Sequence, residues 1–236
     1  MNLIQQEIKK KSKFLDLELK KVKILLNLKN YTVSLKTIQP NIILRSKRIE
    51  LEDISTSFSL SSIFNKKFAV DEIKISTKET KIEDFISILR AQQNSPQLFV
   101  LSQIIKKGLV KINFILNFDE NGKIRDNYKI YGNIKNAKIK LLGKKYVNKL
   151  NFSYIIKKNE YKIHNSSALF ENLNLSSKII NIKNNNKTYL IDGNLDTLDN
   201  KIESKLLNLI LGDYLKNFNL TNLNLGSKNK FSFKIN

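Results

Sequence analysis

The sequence predicts a mainly β chain: an elongated antiparallel β meander curled into a groove, with three accessory helices. Three observations predict it. The first is period-2 alternation. In "LVKINFILNF" (109–118), Val110, Ile112, Phe114, Leu116 and Phe118 share one face, while Lys111, Asn113 and Asn117 make the other face mostly polar. The second is spacing: such segments recur at roughly 8–12 residues, parted by short polar turns. The third is the scarcity of Gly (7) and Pro (2), which leaves few sharp corners and a simple up-and-down order. A two-sheet sandwich is the competing architecture, because it covers one apolar face with another. The missing corner residues and the up-and-down order count against it. A meander of this kind curls into a trough whose concave wall is apolar, and three helices can cap a trough without lining it.

Each element follows from its local pattern. Residues 1–13 are polar and basic and read as a flexible arm. "VKILLNL" (22–28) and "YTVSLKTIQPNIIL" (31–44) alternate as strands around "KN". In "KRIELEDISTSFSL" (47–60), Ile49 and Leu51 share a face, the phase slips at Asp53, and Ile54, Phe58 and Leu60 continue. A slip of one residue marks a bulge or bend. "SSIFNKK" is a connection with room for one helical turn, and "FAVDEIKIST" (68–77) is the next strand.

A helical insertion spans 81–107. Ile82, Phe85, Ile86 and Leu89 follow helical spacing, and Pro96 ends that run. A second helix carries Leu98, Leu101, Ile104 and Ile105 on one face, with Gly108 as its stop. Strands resume at 109 and continue through "GKIRDNYKIYGNIKNAKIKLLG", "NKLNFSYIIKK", "EYKIHNSSALF", "NLNLSSKIINIK" and "TYLIDGNLDTL". "DENG", "KKN" and "KNNNK" suit hairpin connections. A third helix is read over 199–217, with Ile202, Leu206, Leu209 and Ile210 on one stripe. Phe231, Phe233 and Ile235 then alternate to the last residue, which suggests a piece of something longer.

Composition bounds the function classes. With 41% apolar residues, the 236-residue chain can bury a core. Lys and Arg number 42 against 21 acids, a net charge of +21 that permits an anionic membrane or nucleic acid as partner. AT-rich codons also enrich Lys, Asn and Ile, so charge alone assigns no partner. The chain has no cysteine, which excludes disulfides, thiolate metal sites and thiol nucleophiles. The single His164 cannot form a His-paired metal site and reads as a solvent-facing strand residue. The N-terminus has no signal-peptide core, and no run approaches the roughly 18 apolar residues of a membrane helix. The chain therefore reads as soluble, without an anchor of its own.

No catalytic constellation appears, and the expectation is a non-enzymatic protein without cofactor or metal. Asp53, Asp71, Glu72, Glu83 and Asp84 are scattered acids with no spacing suited to paired acid–base work. Asp119-Glu120-Asn121-Gly122 lacks the full calcium-loop pattern and reads as a hairpin turn. There is no Gly-rich phosphate loop. The basic runs at 9–13, 20–21, 45–48 and 144–145 supply the headgroup candidates Arg45, Lys47, Arg48, Lys144 and Lys145. Nucleic-acid binding is disfavoured, because Phe and Tyr lie in phase with the aliphatic face rather than among the basic residues.

Hydrocarbon suits the uncovered face. Strands of seven to nine residues make walls ~25–30 Å across, and twelve of them a gutter ~55 Å long. At about 0.8 kcal/mol per buried methylene, a sixteen-carbon tail gains roughly 12 kcal/mol in a dry apolar gutter. The residues expected to line it are Phe58, Leu60, Val70, Val110, Ile112, Phe114, Leu116, Phe118, Ile130 and Phe152.

Three stretches carry a family resemblance. The first is "YTVSLKTIQPNIILRSKRIELEDISTSFSLSSIFNKKFAVDEIKIST", the second "KIEDFISILRA", and the third "GLVKINFILNFDENGKIRDNYKIYGNIKNAKIKL". In order and spacing, over residues ~30–180, the chain resembles the AsmA-like family of bacterial envelope proteins (the AsmA, TamB and YhdP types). The resemblance implies a taco-like β groove that moves phospholipid between the inner and outer membranes, on the periplasmic side of the inner membrane. Members of that family usually begin with a membrane anchor. Its absence here implies a fragment, a split gene product, or a segment that joins a membrane-anchored partner or missing flanking segments. The alternative function is a structural or assembly scaffold that pairs strand edges with a partner chain.

Overall fold

The computed structural model describes residues 15–27, 29, 31–44, 47–59, 70–92, 95–141, 145–185, 188–203 and 222–235. Its strands are β1 Leu15–Glu18, β2 Lys21–Asn27, β3 Thr32–Ile38, β4 Asn41–Leu44, β5 Lys47–Ser59, β6 Val70–Thr77 and β7 Thr80–Lys81. Helices α1 Ile82–Gln92 and α2 Pro96–Ile104 follow. The remaining strands are β8 Ile105–Asn117, β9 Lys129–Lys140, β10 Tyr146–Lys157, β11 Glu160–Phe170, β12 Leu173–Asn185, β13 Thr188–Glu203 and β14 Asn222–Ile235. They form one open antiparallel sheet of 14 strands, ordered β1-β4-β5-β6-β8 and then serially to β14. Strand β2 pairs with β3, β3 with β5, and β7 with β8. The meander read from alternation and turn spacing is therefore the fold. Two compact units divide the chain: Met1–Ser102 with Leu109–Gly132 and Ile155–Lys158, and Gln103–Gly108 with Asn133–Tyr154 and Asn159–Asn236.

In the first unit, β5 is one long strand whose edge partner changes from β4 to β3 along its length. The change happens at a bend. Gln39 adopts φ 48° and donates its N–H to the Glu52 carbonyl at 2.9 Å; the Leu51 N–H reaches the Pro40 carbonyl at 3.0 Å. On the other side of β5 the register slips between Leu51 and Asp53. This is the bulge that the phase change at Asp53 predicts. Pro40, which has no N–H to offer, is fully buried at the bend, where the ladder asks only for its carbonyl. Strand β1 is an element the alternation does not reveal, being four residues beside a basic segment.

Strand β6 ends at Thr77, and β7 resumes pairing with β8 at Thr80. Between those ladders the buried Ile112 N–H donates to Thr77 Oγ1 at 2.9 Å. Thr77→Val therefore leaves a buried donor unpaired and costs about 1–3 kcal/mol of unfolding free energy by urea titration. An unchanged midpoint would show that this hydrogen bond carries no weight.

Helix α1 packs its apolar side on this end of the sheet. Ile49, Leu51 and Ile88 form the core cluster, with Ile42, Ile54, Ile75 and Phe85 against it. Glu83 and Asp84 in the first turn and Arg90 in the last suit the helix dipole. The spacing places Leu89 on the buried stripe; instead Ile82, Ile86 and Ile88 are buried and Leu89 is 37% exposed.

Two helix boundaries differ from expectation. The second helix starts at Pro96 and ends at Ile104, so Ile105 to Gly108 already belong to β8. Gly108 is no helix stop; it lies within the strand at φ 154°, an angle that favours glycine. Residues 199–203, expected to open a third helix, complete β13, with Asn200–Glu203 paired to Asn222–Leu225. A short apolar run fits helix or strand, and the partner strand decides. The rest of that expected helix, the arm at 1–13 and the connection "SSIFNKK" lie outside the described residues.

In the second unit, asparagine does the bending that glycine does elsewhere. Asn136, Lys149 and Asn165 hold φ near 50° within β9, β10 and β11. Asn151 accepts from the Asn136 N–H at 2.9 Å and donates to the Lys149 carbonyl at 2.7 Å. In β12 and β13 the register slips between Ser176 and Ile180, where Asn194 Oδ1 accepts from the N–H groups of Lys178 and Ile179, both at 3.1 Å. Glu171 and Asn172 both hold φ > 0, as the two-residue hairpin turn between β11 and β12 requires.

Tyr154 in β10 meets Phe152 edge-to-face at 6.2 Å. Burial pushes its phenol up to about 12 from the ordinary 10.0. The neutral form is the one the fold favours. Its contribution to stability is present in full below pH ~10 and is lost as pH rises through about 12. An alkaline titration of tyrosinate absorbance therefore shows a component that ionises near pH 12 and is lost in Tyr154→Phe. A single uniform transition near 10 would contradict the burial.

Candidate functional site

Register builds one continuous apolar wall in the first unit. Leu26, Val33, Phe58 and Val70 stand opposite one another across β2, β3, β5 and β6. The next row is Ile24, Leu35, Thr56, Ile73 and Leu116, and it extends onto β8. The third is Val22, Thr37, Ile54, Ile75 and Phe114. Directly paired residues share a face, so the three rows make one surface. Only two threonines interrupt the hydrocarbon. Thr37 turns its hydroxyl to the Ile54 backbone, accepting from its N–H at 3.1 Å and donating to its carbonyl at 3.2 Å. Thr56 Oγ1, in the middle row, is buried with no hydrogen-bond partner among the described residues.

The opposite face is polar and charge-paired. Lys36 lies 3.3 Å from Asp53, Lys74 2.7 Å from Glu72, and Lys111 2.6 Å from Glu52. Leu25, Ile38 and Ile115 are the apolar exceptions there.

Cover over the wall is uneven. At the α1 end Leu51 is 1% exposed, and Val110 and Ile112 are buried too. Phe58, Ile73, Phe114 and Leu116 are half-buried, and all of β2 is exposed, Ile24 to 71%. Among the described residues, α1 seals one end, where Ile54 and Ile75 of the third row join its core; towards β2 the rows pass from half-buried to exposed.

The expected lining residues divide accordingly. Phe58, Val70, Phe114 and Leu116 stand in the rows above, and Val110 and Ile112 continue the β8 face and are buried. Phe118 follows Leu116 and bridges to Ile124 in the hairpin loop. Ile130 lies in β9 and Phe152 in β10, half-buried. Leu60 lies outside the described residues. Sequence reasoning missed Ile24, Leu26, Val33, Leu35, Ile73 and Ile75. Each alternates correctly within its strand, but only strand order shows that they adjoin Phe114 and Leu116.

The headgroup candidates are less free than a basic run suggests. Arg48 pairs with Glu18 at 3.2 Å, and Glu18 also accepts from Asn41 at 3.1 Å. Lys145 sits over the Phe170 ring at 5.9 Å. Lys47 belongs to β5; Arg45 and Lys144 lie outside the described residues. The Lys123 N–H bonded to Asp119 holds that carboxyl below its usual range, so the "DENG" segment behaves as a capped turn.

The second unit carries an apolar face of its own. Tyr161, Ile182, Ile191 and Phe233 form one row, and Ile163, Ile180, Gly193 and Phe231 the next. Phe231 and Phe233 stack at 5.7 Å. A Cβ on Gly193 would meet the Phe231 ring at 3.0 Å and the Ile179 carbonyl at 2.7 Å, so the ring fills the space a side chain would take. A cleft of about 820 Å³ also lies on β12–β14, lined by Lys178, Asp192, Asp196, Lys228 and Lys230 among others. Its acids and lysines oppose each other in sign.

Among the described residues no three His, Asp or Glu side chains converge as a metal site, and no helix is long and apolar enough to cross a membrane. No protein-family model matches the chain, and no curated protein or solved structure is similar to it.

Proposed function

We propose that the first unit binds the hydrocarbon tails of phospholipid on its apolar wall, as a non-enzymatic segment of an envelope lipid-transfer protein. The observation that carries this reading is the set of three register rows across β2, β3, β5, β6 and β8, of which α1 covers one end. A contiguous apolar surface across five strands, exposed on β2 and half-buried on β3, β5, β6 and β8, exceeds what an ordinary monomer leaves partly open to water. Tails lie along the rows, and headgroups stay at the rim. The envelope location, on the periplasmic side of the inner membrane, and transfer towards the outer membrane rest on the resemblance to AsmA-like proteins.

The test is positional. A photoreactive benzophenone side chain placed at Phe58 crosslinks to co-purifying phospholipid, whereas the same group at Ser57, on the opposite face, does not. Equal labelling at both positions, or none at either, contradicts the wall.

A second reading is favoured by β2 itself. Among the described residues it pairs only with β3, and all seven of its residues are exposed. A scaffold that adds a partner's strand at this edge would give a stoichiometric protein complex with no bound lipid.

A further inference from the structure

We propose that α2 is a bilayer-contact element, which lays Phe99, Val100 and Leu101 into the interface of a membrane bearing anionic headgroups. The starting observation is an imbalance. Helix α2 reads PQLFVLSQI, carries no charge, and buries none of its residues. Phe99 is 50% exposed, Val100 49% and Leu101 42%. Successive helical residues step ~100° apart, so these three cover about 200° of the helix surface. A helix apolar on more than one side normally lies inside a core. This one is presented to the outside, and as a cluster rather than as scattered single residues.

The helix is well formed even so. Ser95 caps it, its hydroxyl accepting from the Leu98 N–H at 3.3 Å and its carbonyl from the Phe99 N–H at 3.1 Å. Pro96 takes the first position, where no N–H is needed. One side is pinned to α1 by polar contacts: Arg90 donates to Ser102 Oγ at 3.1 Å, and its guanidinium lies over the Phe99 ring at 5.2 Å. Those contacts orient α2 and leave Phe99 half exposed.

Charge selects the occupant. From Phe85 to Phe118 the sequence holds no Asp or Glu, while Arg90, Lys106 and Lys107 fall within it beside Lys111, which is paired with Glu52. The chain leaves α2 almost directly into Lys106 and Lys107, both exposed. An uncharged apolar helix with cations at its margins matches a bilayer interface, where rings and aliphatic groups enter the acyl boundary and ammonium groups meet phosphate. A second copy of this chain would set the same cations against each other, on a molecule of net charge +21. This element is distinct from the acyl-binding wall and stands or falls separately from it.

Vesicle flotation decides the matter. The full chain is incubated with phosphatidylcholine vesicles, with or without phosphatidylglycerol. It is expected to float with the anionic vesicles and to remain at the bottom with the neutral ones. Phe99→Asp with Leu101→Asp should lower the floated fraction at least tenfold with an unchanged circular dichroism spectrum, since both positions already face outward. Lys106→Glu with Lys107→Glu should remove the preference for phosphatidylglycerol. An Asn117→Asp chain, altered on the polar face outside both α2 and the acyl wall, should float as the parent does. The proposal is overturned if the parent chain fails to float, if the α2 double variant floats equally well, or if gel filtration shows a dimer that the α2 variant abolishes.

Discussion

Replacing Phe114 and Leu116 together with Asp removes co-purifying phospholipid while the sheet stays folded. The two side chains occupy adjacent rows of the wall, opposite Ile75 and Ile73. Both are half-buried, beyond the end that α1 seals. In the lipid-free chain a carboxylate at either position reaches water, so the structural cost stays small. In the lipid-bound chain the same carboxylates would have to be stripped of water against hydrocarbon, at several kcal/mol each. The expected loss in phospholipid per mole of protein is at least tenfold, equivalent to ~1.4 kcal/mol or more in binding. Asn117→Asp serves as the control. It stands opposite Glu72 on the polar face and changes charge without touching the wall. Phospholipid retained by the double variant at the parent level would place the binding surface elsewhere.

The largest stability effect is expected at Leu51. It is fully buried among Ile49, Ile88 and the flanking Ile54, Ile75 and Phe85, where β5 bulges beneath α1. Leu51→Ala removes three carbons from a site that the Gln39–Pro40 bend on one side and the helix on the other keep from collapsing. The cost should be about 2–5 kcal/mol, against a total stability of ~5–15 kcal/mol for a typical domain. Urea unfolding measures it. Ile24→Ala, on the exposed edge strand, should change stability by less than about 0.5 kcal/mol. Equal effects at the two positions would mean that α1 does not close a core.

What the sequence made legible follows from the range of each signal. Alternation within a strand is local, so the segments ending at Asn27, Ser59 and Asn117 were readable to within a residue or two. The one-residue slip at Asp53 announced the bulge that lets β3 and β4 share one side of β5. Neighbour identity is not local. Nothing in "DEIKIST" shows that Ile73 faces Leu116 and Ile75 faces Phe114 across 40 residues of helix and strand, so half of the wall went unrecognised. Helical ends were misjudged for the same reason. Residues 199–203 have helical spacing, yet β14 offers them hydrogen bonds that no local pattern records. Scarce glycine suggested few corners. The corners exist, and Asn136, Asn165 and Asn172 make them, because a short amide side chain tolerates φ > 0 better than most residues do. The headgroup candidates read from basic runs met a similar limit, since the run at 45–48 gives no hint that Arg48 is paired with Glu18.

Native mass spectrometry of the chain purified without added lipid tests the central claim most directly. A wall of aliphatic and aromatic side chains left open to hydrocarbon predicts peaks above the 27.4 kDa chain by the mass of one or more phospholipids, released by collisional heating. A spectrum holding only the bare chain, or the chain in complex with another polypeptide and free of lipid, contradicts it.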